Sequence, residues 1–482
     1  MSICRYETNL CKVKKCRYDV SNYEEKAKGV GRMRRKSLQE RLYNLKRLRI
    51  GIECFEEQIY EALYRDLGKG RNEAYMTEIG FVYAAISHAE AHLHEWMKPE
   101  RRATPFYLMP ARSEVRYEPY GTVLIIGPFN YPFQLVMAPL VGALCAGNAV
   151  VVKPSEIASH TEKVIEAILM DAFREGDVRC VIGSADATEH LVRSGFDYIF
   201  FTGSAATGRK ILAAAADTLT PVTLELGGKS PAIVCADANI ALAAKRIVWG
   251  KTVNAGQTCI APDYVLAAAE IKDALLKEMR KAVYAFFGEN AAQSDDYGRI
   301  INQRHFGRLD AILRADAAYI TSGGRMDKEH LYMEPAILDL SNAPDPLACA
   351  SMQAELFGPI LPVISYDTEE DVFALLHKGG AQLKNPLALY VFSRDRRKQN
   401  LLTERIPSGG VCINDTILHI TGEHLPFGGV GASGMGAYHG KESFLTFSHK
   451  RGILMRSNHL AHDIIYPPYN AAKPGIIKKL MK

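Results

Sequence analysis

Apolar positions along the chain keep two different rhythms. From 37 to 98 they recur at three- and four-residue spacing: Leu38, Leu42 and Leu45 begin a stripe that continues to Ile52, Phe55 and Ile59. That spacing predicts amphipathic helix, with few strand signals. Residues 103–120 carry Pro105, Pro110 and Pro119 among alternating polar and apolar residues, which predicts an extended arm or hairpin outside any core sheet. From 121 short apolar runs take over. Val123 to Ile126, Ala149 to Val152, Arg179 to Ile182, Tyr198 to Phe201 and Val222 to Leu226 read as buried strands. Helical stretches lie between them, one opened by Pro132 and closed by Gly147, others over 160–174 and 206–216. Strands spaced by helices give right-handed crossovers and a parallel sheet. After 230 the alternation continues through Pro231–Cys235, Tyr264–Ala268, Ala336–Leu340, Ile360–Ser365, Leu387–Phe392 and Val411–Asn414, enough for a second α/β unit. Beyond Asn414 the chain is Gly-rich, and a last strand is expected near Phe444–Phe447.

Composition narrows the classes. A net charge of +5 over 482 residues is too small to argue for a nucleic-acid partner, and none is expected. The basic excess is local: residues 26–49 hold ten Lys or Arg and one acid, Glu40, read as the solvated face of a helix. The ten cysteines include no CxxC pair and no zinc-type spacing, so a reduced, cytoplasmic protein without a metal site is expected. Cys4, Cys11 and Cys16 crowd the N-terminus as solvated thiols. No apolar run approaches the roughly 18 residues of a membrane span. The tail from Ile476 to Lys482 can touch a bilayer weakly at most.

Five places invite chemistry, each with a plainer reading beside it. The strand ending at Phe201 feeds a helix through Thr202-Gly203-Ser204, which suits a phosphate or a simple tight turn; the spacing Gly203 to Gly208 is not that of G-x-G-x-x-G. Asn130, in Gly127-Pro128-Phe129-Asn130-Tyr131-Pro132, can donate to an oxyanion or close an Asx-turn. Lys153 and Glu156 can clasp a ribose diol or form a surface ion pair. Glu225 ends a buried strand before Gly227 and Gly228, an unusual place for a carboxylate without a purpose or partner. Cys259 is a nucleophile or a small buried hydrophobe, and composition alone does not single it out from the other nine cysteines.

Taken in order, the segments GPFNYP at 127–132, VKPSE at 152–156, FTGS at 201–204, LELGGKSP at 224–231 and GQTC at 256–259 resemble the aldehyde dehydrogenase superfamily. Glu355-Leu356-Phe357-Gly358-Pro359 and Pro426-Phe427-Gly428-Gly429-Val430-Gly431 extend the likeness, from about residue 30 to about 450. The forms PFNYP, KPSE and LPFGGVGASGMGAYHGK look most like the dimeric class 3 branch, which handles medium-chain, fatty and aromatic aldehydes. The resemblance implies a Rossmann-like parallel-sheet cofactor domain (1–102 and 120–226), a second α/β catalytic domain (227–414), an oligomerisation arm (103–119 and 430–450) and a C-terminal tail (451–482). It implies Cys259 as nucleophile, Glu225 as general base and Asn130 as the side-chain half of an oxyanion hole. It places Lys153 and Glu156 at the adenosine ribose of NAD, with NADP as an alternative, Gly203 and Ser204 at the pyrophosphate, and Glu355 and Phe357 at the nicotinamide ribose.

The expected function is therefore oxidation of an aldehyde to a carboxylic acid through a thioester on Cys259, by a homodimer. Attack by sulfur makes an oxyanion able to expel hydride, and a carboxylate then activates water. The rival readings are a CoA-acylating dehydrogenase, for which a hydrolytic base is superfluous, and a non-catalytic binding protein, for which three intact reactive residues are. Fatty-aldehyde members with a membrane anchor carry a hydrophobic C-terminus. This sequence shows none, so no anchor is expected.

Overall fold

In the computed structural model, which describes residues 35–173, 176–460, 465–469 and 473–480, the N-terminal stripe forms two helices, Leu38–Cys54 and Glu56–Leu67. Ser37 and Glu40 cap the first reciprocally, the side chain of each accepting from the other's backbone N–H. The basic face is not wholly solvated. Arg41 is buried and donates to the Cys145 carbonyl at 2.7 Å. The three N-terminal cysteines lie outside the described residues.

Two parallel sheets carry the rest. The first runs, from edge to edge, Gly434–Met435, Val222–Glu225, Tyr198–Thr202, Thr122–Ile126, Ala149–Lys153 and Val178–Cys180, all parallel but the first. Strand order reverses beside Thr122–Ile126, so the carboxyl ends at Gly127 and Thr202 border a crevice, the usual ligand position of an open α/β sheet. The helix Gln134–Ala146 is buried on every side, as its near-total lack of polar residues requires.

The second sheet runs Ile320–Ser322, Ala336–Asp339, Ile360–Tyr366, Tyr264–Ala268, Pro231–Val234, Ala388–Phe392 and Gly410–Ile413, with only the first antiparallel to its neighbour. The arm is a third sheet, in which Ala111–Pro119 pairs with Glu100–Arg102 on one side and along its full length with Ser448–Arg456 on the other. This sheet runs past both ends expected of the arm.

One expected element is corrected. Phe444–Phe447 is not a strand: Phe444 lies in the helix Gly440–Thr446, with Phe447 at its C-cap, and the strand begins at Ser448. Phe444 and Phe447 are three apart, a helical interval that brings both onto one buried face.

Candidate active site

Glu225 is the last residue of its strand, paired in register with Thr202 and Gly434, and its carbonyl accepts from Gly203 N at 2.9 Å. Its side chain is buried, and neither carboxyl oxygen has a hydrogen-bond partner. Burial alone raises this carboxyl well above the usual range.

Cys259 stands on a loop with unusual backbone. The helix Ile240–Thr252 gives way to Asn254, Ala255 and Gly256, all with left-handed φ (55°, 51° and 75°). A Cβ on Gly256 would lie 2.4 Å from the Gly358 carbonyl, so the Cys259 loop packs directly on the loop that carries Glu355 and Phe357. Gln257 pins the turn, its amide donating to Asn254 O at 3.0 Å and Arg299 O at 2.9 Å and accepting from Ile301 N at 3.0 Å. Cys259 is half-buried. Burial first, then the Glu355 and Glu225 carboxyls, push its thiol up to about 12.

Asn130 is buried, and its amide donates to the Gln257 carbonyl, two residues before Cys259, at 3.0 Å. The Asx-turn alternative therefore does not describe this side chain. Glu355 lies across Gly227, where a Cβ would fall 2.1 Å from Oε2, and one of its oxygens, Oε1, is buried without a partner. Its carboxyl is raised to about 8, first by burial and then by Asp263. Phe357 takes a left-handed φ of 50°, and its ring meets Phe129 edge-on at 5.7 Å. Cys259, Glu225, Asn130 and Glu355 are thus brought together where the two sheets meet.

The remaining residues lie along the crevice. Lys153 is buried, its Nζ donating to Pro154 O at 2.7 Å and to Glu156 at 3.1 Å, while Glu156 is half-exposed. The pair is anchored from inside and is not the surface ion pair of the plainer reading. Gly203 needs its missing side chain, since a Cβ would meet the Phe201 ring at 2.5 Å, but its N–H is engaged by Glu225. Ser204 caps the helix Ala205–Ala216 by accepting from Thr207 N, which leaves the first N–H groups of that helix facing the crevice for an anion. A free Glu355 oxygen, a half-exposed Glu156 and an open helix start suit a dinucleotide. Among the described residues no cluster of His, Cys, Asp and Glu fit for a metal occurs.

The sequence reading missed the shell behind these groups. Lys229 pairs with Asp263, which in turn accepts from Leu356 N at 3.0 Å and so fixes the Glu355 loop. Lys69, Glu73, Glu78 and Asn254 support Asn130 and the Cys259 loop. Lys229 and Gln257 lay within quoted motifs, and a lysine between two glycines, Gly68-Lys69-Gly70, was the only local signal for Lys69.

Comparison with known proteins agrees with this geometry. The aldehyde dehydrogenase family model matches residues 6–453. The chain is 45% identical to the 4,4'-diaponeurosporen-aldehyde dehydrogenase of Staphylococcus aureus, over 90% of this chain and 93% of that one. It is 41% identical to the dimeric NADP-preferring aldehyde dehydrogenase of Rattus norvegicus, over 91% and 95%. A solved structure of Staphylococcus aureus AldH in a substrate-bound state superposes with a TM-score of 0.91 at 43% identity, covering 96% of this chain and 98% of that one. The chain belongs to the aldehyde dehydrogenase family, and its likeness to the class 3 branch holds, since several relatives are named as family 3 members. It is an oxidoreductase that acts on aldehydes with NAD(P).

Proposed function

We propose that the chain oxidises an apolar aldehyde to the carboxylic acid through a thioester on Cys259, and that Glu225 and Asn130 are its partners in that chemistry. The observation that carries this is the convergence of the Cys259 thiol, the unpartnered Glu225 carboxyl and the Asn130 amide at one junction. Cys259 passes its proton to solvent and its sulfur adds to the aldehyde carbon, turning the carbonyl oxygen into an oxyanion. An amide nitrogen carries two hydrogens; Asn130 gives one to Gln257 and the other is the donor for that oxyanion. NAD(P), when bound, supplies the acceptor for the hydride expelled as the oxyanion collapses. Glu225, ionised for this step, takes a proton from the water that attacks the thioester; the C–S bond then breaks, and Glu225 returns the proton to sulfur as the acid leaves. A carboxyl raised by burial is the stronger base for this step.

The aromatic wall beside the site supports an apolar substrate. Tyr438 follows Gly434–Met435, the strand paired with Leu224 and Glu225. From it the rings of Phe427, His439 and Phe81 follow at 5.7, 5.3 and 5.4 Å. Medium- or long-chain aliphatic and aromatic aldehydes fit such a wall, in keeping with the aldehyde in the Staphylococcus aureus relative's name. Glu156, Lys153, Gly203, Ser204, Glu355 and Phe357 would hold the dinucleotide, with NAD used well and NADP tolerated. The division into cofactor domain, catalytic domain and arm, a homodimeric assembly and a cytoplasmic location complete the reading.

NADH absorbance with an aldehyde panel, with and without CoA, tests it. Turnover that does not need CoA, lost in Cys259→Ala while cofactor still binds, is expected. Dependence on CoA would point to the acylating alternative, and no turnover by the wild type would point to a binding protein.

A further inference from the structure

Three charged residues that the mechanism above does not use stand on one short segment, Lys69 and Glu78 buried and Glu73 half-buried. Lys69 follows Gly68, whose φ of 63° ends the helix Glu56–Leu67, and precedes Gly70, where a Cβ would lie 2.4 Å from the Asp295 carbonyl. The chain is thus held tightly at Lys69. Its Nζ is bonded to Glu78 Oε1 at 2.5 Å, donates to the Asn130 carbonyl at 3.2 Å and lies 4.0 Å from the centre of the Tyr131 ring. The other Glu78 oxygen accepts from Phe133 N at 3.1 Å and Gln134 N at 2.9 Å, at the start of the buried helix. Both side chains of the pair are fully buried.

Glu73 completes the set by accepting from Asn254 N at 2.8 Å, and Asn254 Nδ2 donates to the same Asn130 carbonyl at 2.7 Å and to Gln257 O at 3.1 Å. Five residues separate Glu73 from Glu78, an offset of about 140° in a regular α-helix. A π-turn over Tyr75–Ile79, closed by Gly80 N–H on the Tyr75 carbonyl, takes up that offset and lets both carboxyls face the site. One rigid segment therefore grips the Asn130 turn from one side and the nucleophile loop from the other.

We propose that Lys69 and Glu78 are positioning residues that hold the Asn130 amide against the Cys259 loop, in the place where the oxyanion forms, and so set the rate of hydride transfer. This rests on the proposed role of Asn130. A buried pair cut on one side alone leaves an uncompensated charge and endangers the fold, so the informative variant is the neutral pair Lys69→Met/Glu78→Gln. Small displacements of a catalytic group can cost about a hundredfold in rate.

The NADH burst is followed by stopped-flow for the wild type, Asn130→Ala, the neutral pair and the triple variant, with thermal unfolding and the KM for NAD measured alongside. The neutral pair is expected to unfold near the wild-type temperature and to keep its KM within about twofold while its burst rate falls at least about tenfold. Adding Asn130→Ala should then slow it little beyond Asn130→Ala alone. A neutral pair with the wild-type burst rate, or losses that multiply in the triple variant, would overturn the inference. If Asn130→Ala itself leaves the burst unchanged, it is the oxyanion reading that fails. Should the neutral pair not fold, Asn254→Gly decides: it keeps the left-handed backbone, removes the second bond to the Asn130 carbonyl and should slow the burst, and an unchanged rate refutes the inference.

Discussion

Glu225 and Cys259 both sit where burial makes the proton harder to lose, against the needs of their proposed steps. Burial pushes the Glu225 carboxyl well above the usual range, and the Cys259 thiol, pushed up to about 12, faces the carboxyls of Glu355 and Glu225 as well as the low polarity around it. The two ionisations therefore oppose each other, and the reaction orders them: sulfur acts before hydride leaves, carboxylate after. This ordering makes the roles separable. Glu225→Gln keeps the size and removes the base, and general-base catalysis is typically worth about 10²–10⁴ in rate. With excess aldehyde the variant should give a burst of NADH of up to about one equivalent per site and then a slow steady state, with acyl-enzyme visible as added mass on Cys259. Loss of the burst together with turnover would mean that Glu225 acts earlier, in forming the thiolate, or holds the fold.

At the scale of elements, the strand Ala149–Lys153 delivers Lys153 into the crevice with its ammonium already engaged by Glu156. A 2′-phosphate must compete with that carboxylate, whereas a 2′-hydroxyl can donate to it. Glu156→Gln frees the Lys153 charge and removes the repulsion, so the ratio of kcat/KM for NADP over NAD should rise about two- to fivefold, the size typical of a half-exposed charge pair. An unchanged ratio would place Glu156 away from the ribose. The strand itself was legible from sequence because both faces of a parallel sheet are covered and its strands become unbroken apolar runs. The run at Phe444–Phe447 looks the same in sequence yet belongs to a helix and its cap, since a short apolar run carries no period of its own. The groups that carry the chemistry stood in motifs. Some supports, Lys229 and Gln257, stood there too, but Lys69 lies 61 residues from Asn130, and Asn254 lies 124 away, so only the folded chain brings those together.

At the scale of the whole molecule, two edge strands among the described residues carry exposed apolar side chains. Ser448–Arg456 is the outer strand of the arm sheet, and all but Ser448 of its residues are exposed or half-exposed, with Leu454 at 49% and Met455 at 37%. Gly410–Ile413 closes the order of the catalytic sheet with Val411 at 37% and Ile413 at 44% exposed. Long edges with apolar side chains in water invite pairing with another chain, and a twofold dimer buries the same patch on both copies without leaving an open end. We therefore expect a homodimer built on the arm. Light scattering at micromolar concentration should report twice the chain mass of 53.4 kDa. Leu454→Lys combined with Met455→Glu should weaken the dimer at least about tenfold, read as a shift of the dissociation midpoint on dilution, because two charges would then have to be desolvated in the contact. A wild-type monomer at that concentration would refute the assembly. A tetramer would refute the dimer as the complete assembly, and a variant as dimeric as the wild type would move the interface away from the arm.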